Sequence, residues 1–236
     1  MPVPRVIVAL DVPALRDAEQ LVARLGDDCN FYKVGSALFT AEGPRAVERL
    51  RARGKDVFLD LKFHDIPNTV CAAARHAAAL GTRLLTVHAT GGRAMMEAAV
   101  DGAGETCGVL AVTVLTSLDA TALGQIRGQA VPDVRAEVLR LAGLAHEAGV
   151  AGIVCSGHEA RDVHERFGAS LTLLVPGIRL DGGAANDQAR VVTPQQAMDN
   201  GASYLVLGRA ITQSPDPAAA LAQIHRALHG ARHEDR

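Results

Sequence analysis

Asp60, Lys62 and Asp65 fall close together in the segment VFLDLKFHDIPNTV (57–70). An ammonium held among carboxylates can neutralise negative charge as it develops and then deliver a proton to it, which combines electrostatic and general-acid chemistry. In a strand, side chains repeat every two residues, so Asp60 and Lys62 share one face. If that face points inward, each needs a partner, because unpaired buried charge is very costly. Lys33, in FYKV (31–34), could pair with Asp60, and Asp65 could pair with Lys62. The order Lys33, Asp60, Lys62, Asp65 then alternates in sign and can be assembled without large net repulsion. A purely structural salt-bridge network is the plainer alternative.

These residues need elements to position them. Short apolar runs alternate with helical stretches: RVIVAL (5–10), FYKV (31–34), VFLDL (57–61), LLTV (84–87), VLAVTVL (109–115), GIVC (152–155), LTLLV (171–175) and YLVL (204–207). Runs that are apolar throughout suit parallel strands covered on both faces. Between them, PALRDAEQLVARLG sets Leu15, Ala18, Leu21, Val22 and Leu25 at helical steps, with Pro13 suited to the first turn and Gly26 to the end. PNTVCAAARHAAALG starts at Pro67 and stops at Gly81, and a last helix runs from about Pro217 to Leu228. Eight strand–helix units predict an α/β fold, a single (β/α)8 TIM barrel over 1–229, with 230–236 a frayed tail. A doubly wound open sheet is the runner-up, but strand 1 leads into Leu10-Asp11-Val12-Pro13 where that fold would carry a glycine-rich turn.

A barrel keeps its chemistry at the carboxyl ends of its strands. Those ends deliver Asp11, Lys33, Asp60 with Lys62, His88, Thr116-Ser117, Ser156-Gly157, Arg179 and Gly208-Arg209. Phosphate sites in this fold commonly follow strands 7 and 8. Gly208 allows close backbone approach and Arg209 can make two parallel bonds to an anion. Arg179 and Gln188 flank LDGGAAND (180–187), which is read as a mobile loop able to fold over that anion. His88 suits a hydrogen-bonded structural role better than a catalytic one, and His64, at the end of the motif, is expected to face away from Lys62.

Composition excludes several classes. With 24 basic and 26 acidic residues, there is no basic excess for nucleic acid or an anionic membrane. Cys29, Cys71, Cys107 and Cys155 are far apart, so reduced thiols fit better than a disulfide framework or zinc site. No signal-peptide layout opens the chain and no apolar run approaches the roughly 20 residues of a membrane span, so a cytoplasmic protein is expected.

The segments VALDVP (8–13), FYKVGSALFTAEG (31–43), FLDLKFHDIPNT (58–69), VHATGG (87–92), VTVLTSLD (112–119), VPGIRL (175–180), NDQARVVTP (186–194) and LVLGRAIT (205–212) together resemble the orotidine 5′-phosphate decarboxylase family, bacterial type 1-like, over nearly the whole chain. The resemblance implies a cofactor-free, metal-free decarboxylase acting in pyrimidine (UMP) biosynthesis, with Lys62 as proton donor. Lys33, Asp60 and Asp65 would complete a charged tetrad, with Asp60 beside the substrate carboxylate. A homodimer is implied, with Asp65 and Thr69 reaching the other subunit's site. Asp11 and Lys33 would bind ribose hydroxyls, Thr116 or Ser117 the pyrimidine, and Arg179, Gln188, Gly208 and Arg209 the phosphate. The nearest rival is a metal-dependent sugar-phosphate decarboxylase or aldolase of the same superfamily. Such relatives tend to offer a metal-ligating Glu where Lys33 stands. A non-catalytic nucleotide-phosphate-binding barrel is the third possibility.

Overall fold

A computed structural model describes residues 5–131, 133–179 and 192–230. Eight parallel strands close in chain order: β1 (Arg5–Ala9), β2 (Phe31–Gly35), β3 (Asp56–Phe63), β4 (Leu84–His88), β5 (Gly108–Val112), β6 (Gly152–Val154), β7 (Thr172–Val175) and β8 (Tyr204–Leu207). Pairing of β1 with β8, from Arg5↔Tyr204 to Val8↔Leu207, seals the ring. The expected barrel is therefore the one that forms.

Eleven α-helices surround it among the described residues: α1 (Leu15–Leu25), α2 (Ser36–Glu42), α3 (Arg45–Arg51), α4 (Pro67–Ala79), α5 (Arg93–Ala103), α6 (Ala120–Arg127), α7 (Val134–Glu147), α8 (Ala160–Phe167), α9 (Pro194–Asp199), α10 (Arg209–Thr212) and α11 (Pro217–Gly230). In α1, Leu15, Ala18, Leu21, Val22 and Leu25 are buried, as their spacing predicts. Pro13 lies ahead of this helix rather than in its first turn, because Ala14 is extended at φ −140° and begins the cap. Pro67 does open α4. Asp133 caps α7 by accepting the Arg135 N–H at 2.9 Å, and Thr193 and Gln196 form a reciprocal capping box on α9.

The core has two compartments. A large aliphatic layer lies between sheet and helices. A smaller cluster fills the barrel: Ile7, Ala9, Phe31, Phe58, Leu84, Leu110, Leu174 and Val206. The two-residue repeat carries this inner layer upward into polar positions. Ala9 leads to Asp11, Phe31 to Lys33, Phe58 to Asp60, and Leu84 to Thr86 and His88. Each of these four strands thus spends its lower inward residues on packing and its upper ones on the mouth.

Two expectations fail at strand ends. β5 stops at Val112, not Leu115, because its neighbour β6 is only three residues long and offers little to pair with. Thr113 closes that ladder, its N–H and its hydroxyl both donating to the Val154 carbonyl, at 3.2 and 3.0 Å. β3, in turn, is irregular: Leu59 pairs with Leu85 but Phe63 pairs with Val87, so four steps on one strand oppose two on the other. The tail 231–236 and the loop 180–187, with Gln188, lie outside the described residues.

Candidate active site

The β3 irregularity shapes the site. Lys62 has φ +52° and is the one non-glycine residue with positive φ among the described residues. A long side chain in that conformation costs of order 1–3 kcal/mol and persists only where the surroundings hold it. Here they do. The Lys62 N–H, lifted out of the ladder, donates to Thr86 Oγ1 at 2.9 Å. Thr86 Oγ1 donates in turn to Asp60 Oδ1 at 2.9 Å. Asp60 accepts from Lys62 Nζ on both oxygens at 2.8 Å.

Lys33 extends the chain. Its Nζ lies 2.8 Å from Asp11 Oδ1 and 3.7 Å from Asp60 Oδ2. The expected Lys33–Asp60 pair therefore exists but is the weaker of two, since Asp11 takes the closer bond. Gly35 leaves room for this ammonium: a Cβ there would sit 2.9 Å from Lys33 Nζ. The result is a line Asp11, Lys33, Asp60, Lys62 of alternating sign across β1, β2 and β3. Lys33 and Asp60 are the buried members, with side chains 11% and 13% exposed.

Asp65 is placed differently in the single chain. Its carboxylate accepts the Ile66 N–H at 2.6 Å, and among the described residues it makes no ion pair with Lys62. Asp65 and Thr69 are both exposed, on the β3–α4 loop and the first turn of α4. Between them Ile66 is 66% exposed. His64, Asp65, Ile66 and Pro67 line an open hollow of about 500 Å³ with Thr90 and Gly91.

His88 ends β4, half-buried, its ring 5.5 Å from that of His64. The expectation that His64 faces away from Lys62 does not hold: residues two apart on a strand share a face, and His64 lies one residue beyond the end of β3, beside His88. Burial pushes the His88 imidazole below its ordinary 6.5, with His64 and Lys62 adding and Asp60 opposing, so it stays neutral near pH 7.

On the far side of the mouth, Gly208 caps α10 and Arg209 begins it, exposed. Among the described residues nothing lies within 4 Å of where a side chain at Gly208 would begin. Arg179 is anchored by its backbone, donating to the Val192 carbonyl at 3.0 Å. Thr116 and Ser117 lie in a turn after β5, half-buried and exposed respectively. Among the described residues no cluster of three or more His, Cys, Asp or Glu could hold a metal ion. Thr86 is the residue the sequence reading overlooked. It is fully buried, and its signal was a hydroxyl at an inward position of an otherwise apolar strand.

A parallel barrel that gathers alternating ammonium and carboxylate groups at the carboxyl ends of its first strands is a (β/α)8 enzyme of acid–base and electrostatic type. The chain belongs to the family described as "Orotidine 5'-phosphate decarboxylase / HUMPS family", whose model matches residues 4–224. It is 53% identical to the orotidine 5′-phosphate decarboxylase of Halorhodospira halophila, covering 94% of each chain. It is 51% identical to that of Anaeromyxobacter sp. (strain K), over 96% of this chain and 99% of the relative. The crystal structure of orotidine 5′-phosphate decarboxylase from Lactobacillus acidophilus superposes with a TM-score of 0.85 at 37% identity, covering 95% and 99% of the two chains.

Proposed function

We propose that this chain, through its single barrel domain (1–229), converts orotidine 5′-phosphate to UMP and CO2 as a step of pyrimidine biosynthesis. The observation that carries the reading is the Asp11, Lys33, Asp60, Lys62 line, with both lysines in contact with Asp60. Cleaving the bond between C6 and the carboxylate leaves an electron pair on C6 in the ring plane, where no adjacent carbonyl can spread it as an enolate. A cation beside that carbon is the natural device. Lys62 supplies charge first, then transfers a proton from Nζ to C6; the neutral amine recovers its proton from solvent.

Asp60 beside the substrate carboxylate adds ground-state stress. Two like charges ~4 Å apart at an effective dielectric of ~20 repel by about 4 kcal/mol, and the flanking lysines reduce this. Stabilisation of the carbanion by Lys62 is therefore the larger effect. Asp11 and Lys33 suit the ribose hydroxyls, and Thr116 or Ser117 the pyrimidine. Arg179, Gln188, Gly208 and Arg209 suit the phosphate, and the open space at Gly208 supports that. The scheme needs no metal or cofactor: the charge of Asp60 is already met by the Lys33 and Lys62 ammonium groups. The family description pairs the decarboxylases with a second group, and the relatives at 53% and 51% identity belong to the first.

The working form is a homodimer in the cytoplasm, with Asp65 and Thr69 completing the partner's site. Exposure of Asp65, Ile66 and Thr69 beside Lys62 supports the shared site. Four free cysteines support a reducing compartment. No helix among the described residues is long and apolar enough to cross a membrane.

The test is spectrophotometric: purified protein with orotidine 5′-phosphate, followed by loss of substrate absorbance and formation of UMP, with and without EDTA. Conversion unaffected by EDTA is expected; no conversion sinks the reading, and loss restored by Mg2+ transfers it to the metal-dependent class. For the shared site, equal mixing of Lys62→Ala and Asp65→Ala proteins should restore about a quarter of wild-type activity, since half the dimers are mixed and each holds one intact site.

A further inference from the structure

The Lys62 ammonium is useful only if it stays where the carbanion forms, yet its backbone sits in a left-handed conformation that a lysine does not choose. Lys62 also lies outside the regular β3–β4 pairing, between Leu59↔Leu85 and Phe63↔Val87. One side chain compensates for both. Thr86, fully buried on β4, takes the Lys62 N–H and gives its own proton to Asp60 Oδ1, each at 2.9 Å. We infer that Thr86 is a positioning residue for the decarboxylation, holding the Lys62 backbone and the Asp60 carboxylate in one fixed relation through a single hydroxyl. This rests on the proposed function and adds to it a residue on β4.

The directions of the two bonds make the assignment specific. Because the hydroxyl's one proton is committed to Asp60, its lone pairs face the Lys62 N–H. Asp60 Oδ1 receives both this proton and Lys62 Nζ, so Thr86 fixes the plane in which the carboxylate meets the ammonium. Valine has nearly the same shape but neither donor nor acceptor. It would leave the part-buried Lys62 N–H without this partner and let the Asp60 carboxylate rotate. Serine keeps the hydroxyl and loses only a methyl group.

The experiment compares Thr86→Val, Thr86→Ser and wild type for kcat and KM with orotidine 5′-phosphate, with circular dichroism to establish folding. Displacing a reacting group by about an ångström can cost about 100-fold. Thr86→Val should lower kcat by about 10- to 100-fold, with KM changed less than about threefold, because the phosphate end is untouched. Thr86→Ser should recover most of that loss. In an Asp60→Asn background the penalty of Thr86→Val should shrink, since the two act as one unit. A Val protein with wild-type kcat, a Ser protein as impaired as Val, or a Val protein that fails to fold while Ser folds would each overturn the assignment. If wild type itself does not convert the substrate, it is the functional reading that fails.

Discussion

Asp56 opens β3 and Asp60 lies four residues further up it, at the barrel mouth, and both are surrounded by cations. At the lower end Asp56 is met by Arg5 at 3.1 Å, Arg51 at 3.2 Å and Arg83 at 3.7 Å. Arg5 also lies over the Phe31 ring at 5.1 Å, closing the floor of the barrel. At the upper end Asp60 is met by Lys62 at 2.8 Å, Lys33 at 3.7 Å and Thr86 at 2.9 Å. The lower cations are exposed arginines, 39–51% accessible, whose bonds are screened by water. The upper cations are lysines drawn into the mouth. A guanidinium holds charge but does not give up a proton, whereas an ammonium does both. On the proposed function, one strand carries a carboxylate that organises chemistry and another that anchors structure, and the cation type tells them apart.

Replacing the upper cation is the strongest way to break this comparison. Lys62→Ala should lower kcat by about 10⁴-fold or more, because charge and proton go together. Lys62→Arg should be nearly as inactive although the charge remains. An arginine variant retaining a tenth of the activity would mean that charge alone suffices. The arginine at the mouth supplies the converse. Arg209→Ala should cost about 10- to 100-fold in kcat/KM, the worth of a charged hydrogen bond, by weakening binding and slowing turnover together. An effect on kcat with KM intact would take Arg209 off the phosphate.

Much of this arrangement was legible in the sequence, and what was not lies mainly on β3. The strand ends of β1, β2 and β4 bring Asp11, Lys33 and His88 to the mouth as expected, because those strands are regular where they reach it. On β3 the same reasoning assumes an unbroken ladder. It still pairs Asp60 with Lys62, but by a backbone turned to φ +52° rather than by an extended strand. No local residue type announces the irregularity: there is no glycine between Asp56 and Phe63. Thr86 was missed for the same reason, since a hydroxyl in LLTV matters only once the opposing N–H has left the ladder. Lys33 favours Asp11 over Asp60 because Asp60 is already held by Lys62 and Thr86, a competition that pairwise reasoning does not see.

His88 offers a finer test of the upper end. Its imidazole is held below 6.5 in the folded chain, so between that value and 6.5 the unfolded chain binds the extra proton. Stability should therefore be fully present above pH 6.5 and fall as pH drops through that window. His88→Gln should lessen the difference between urea midpoints measured at about pH 7.5 and about pH 5.5. An unchanged difference would mean that His88 is protonated freely and that the upper end is more solvated than its partners suggest.

The smallest effect belongs to the lower end. Asp56→Asn keeps the shape and removes the charge that three guanidiniums share. Exposed ion pairs of this kind contribute about 0–1 kcal/mol each and weaken with salt. The variant should lose no more than about 1 kcal/mol at low ionic strength, and the gap to wild type should narrow in high salt. Its kcat should match wild type within about twofold, because Phe31 and Phe58 lie between the two carboxylates as part of the packed interior. A kcat that falls with the loss of Asp56 would show that charge at the floor is felt at the mouth. The two carboxylates of β3 would then be one electrostatic unit, and the distinction drawn from lysine and arginine would not hold.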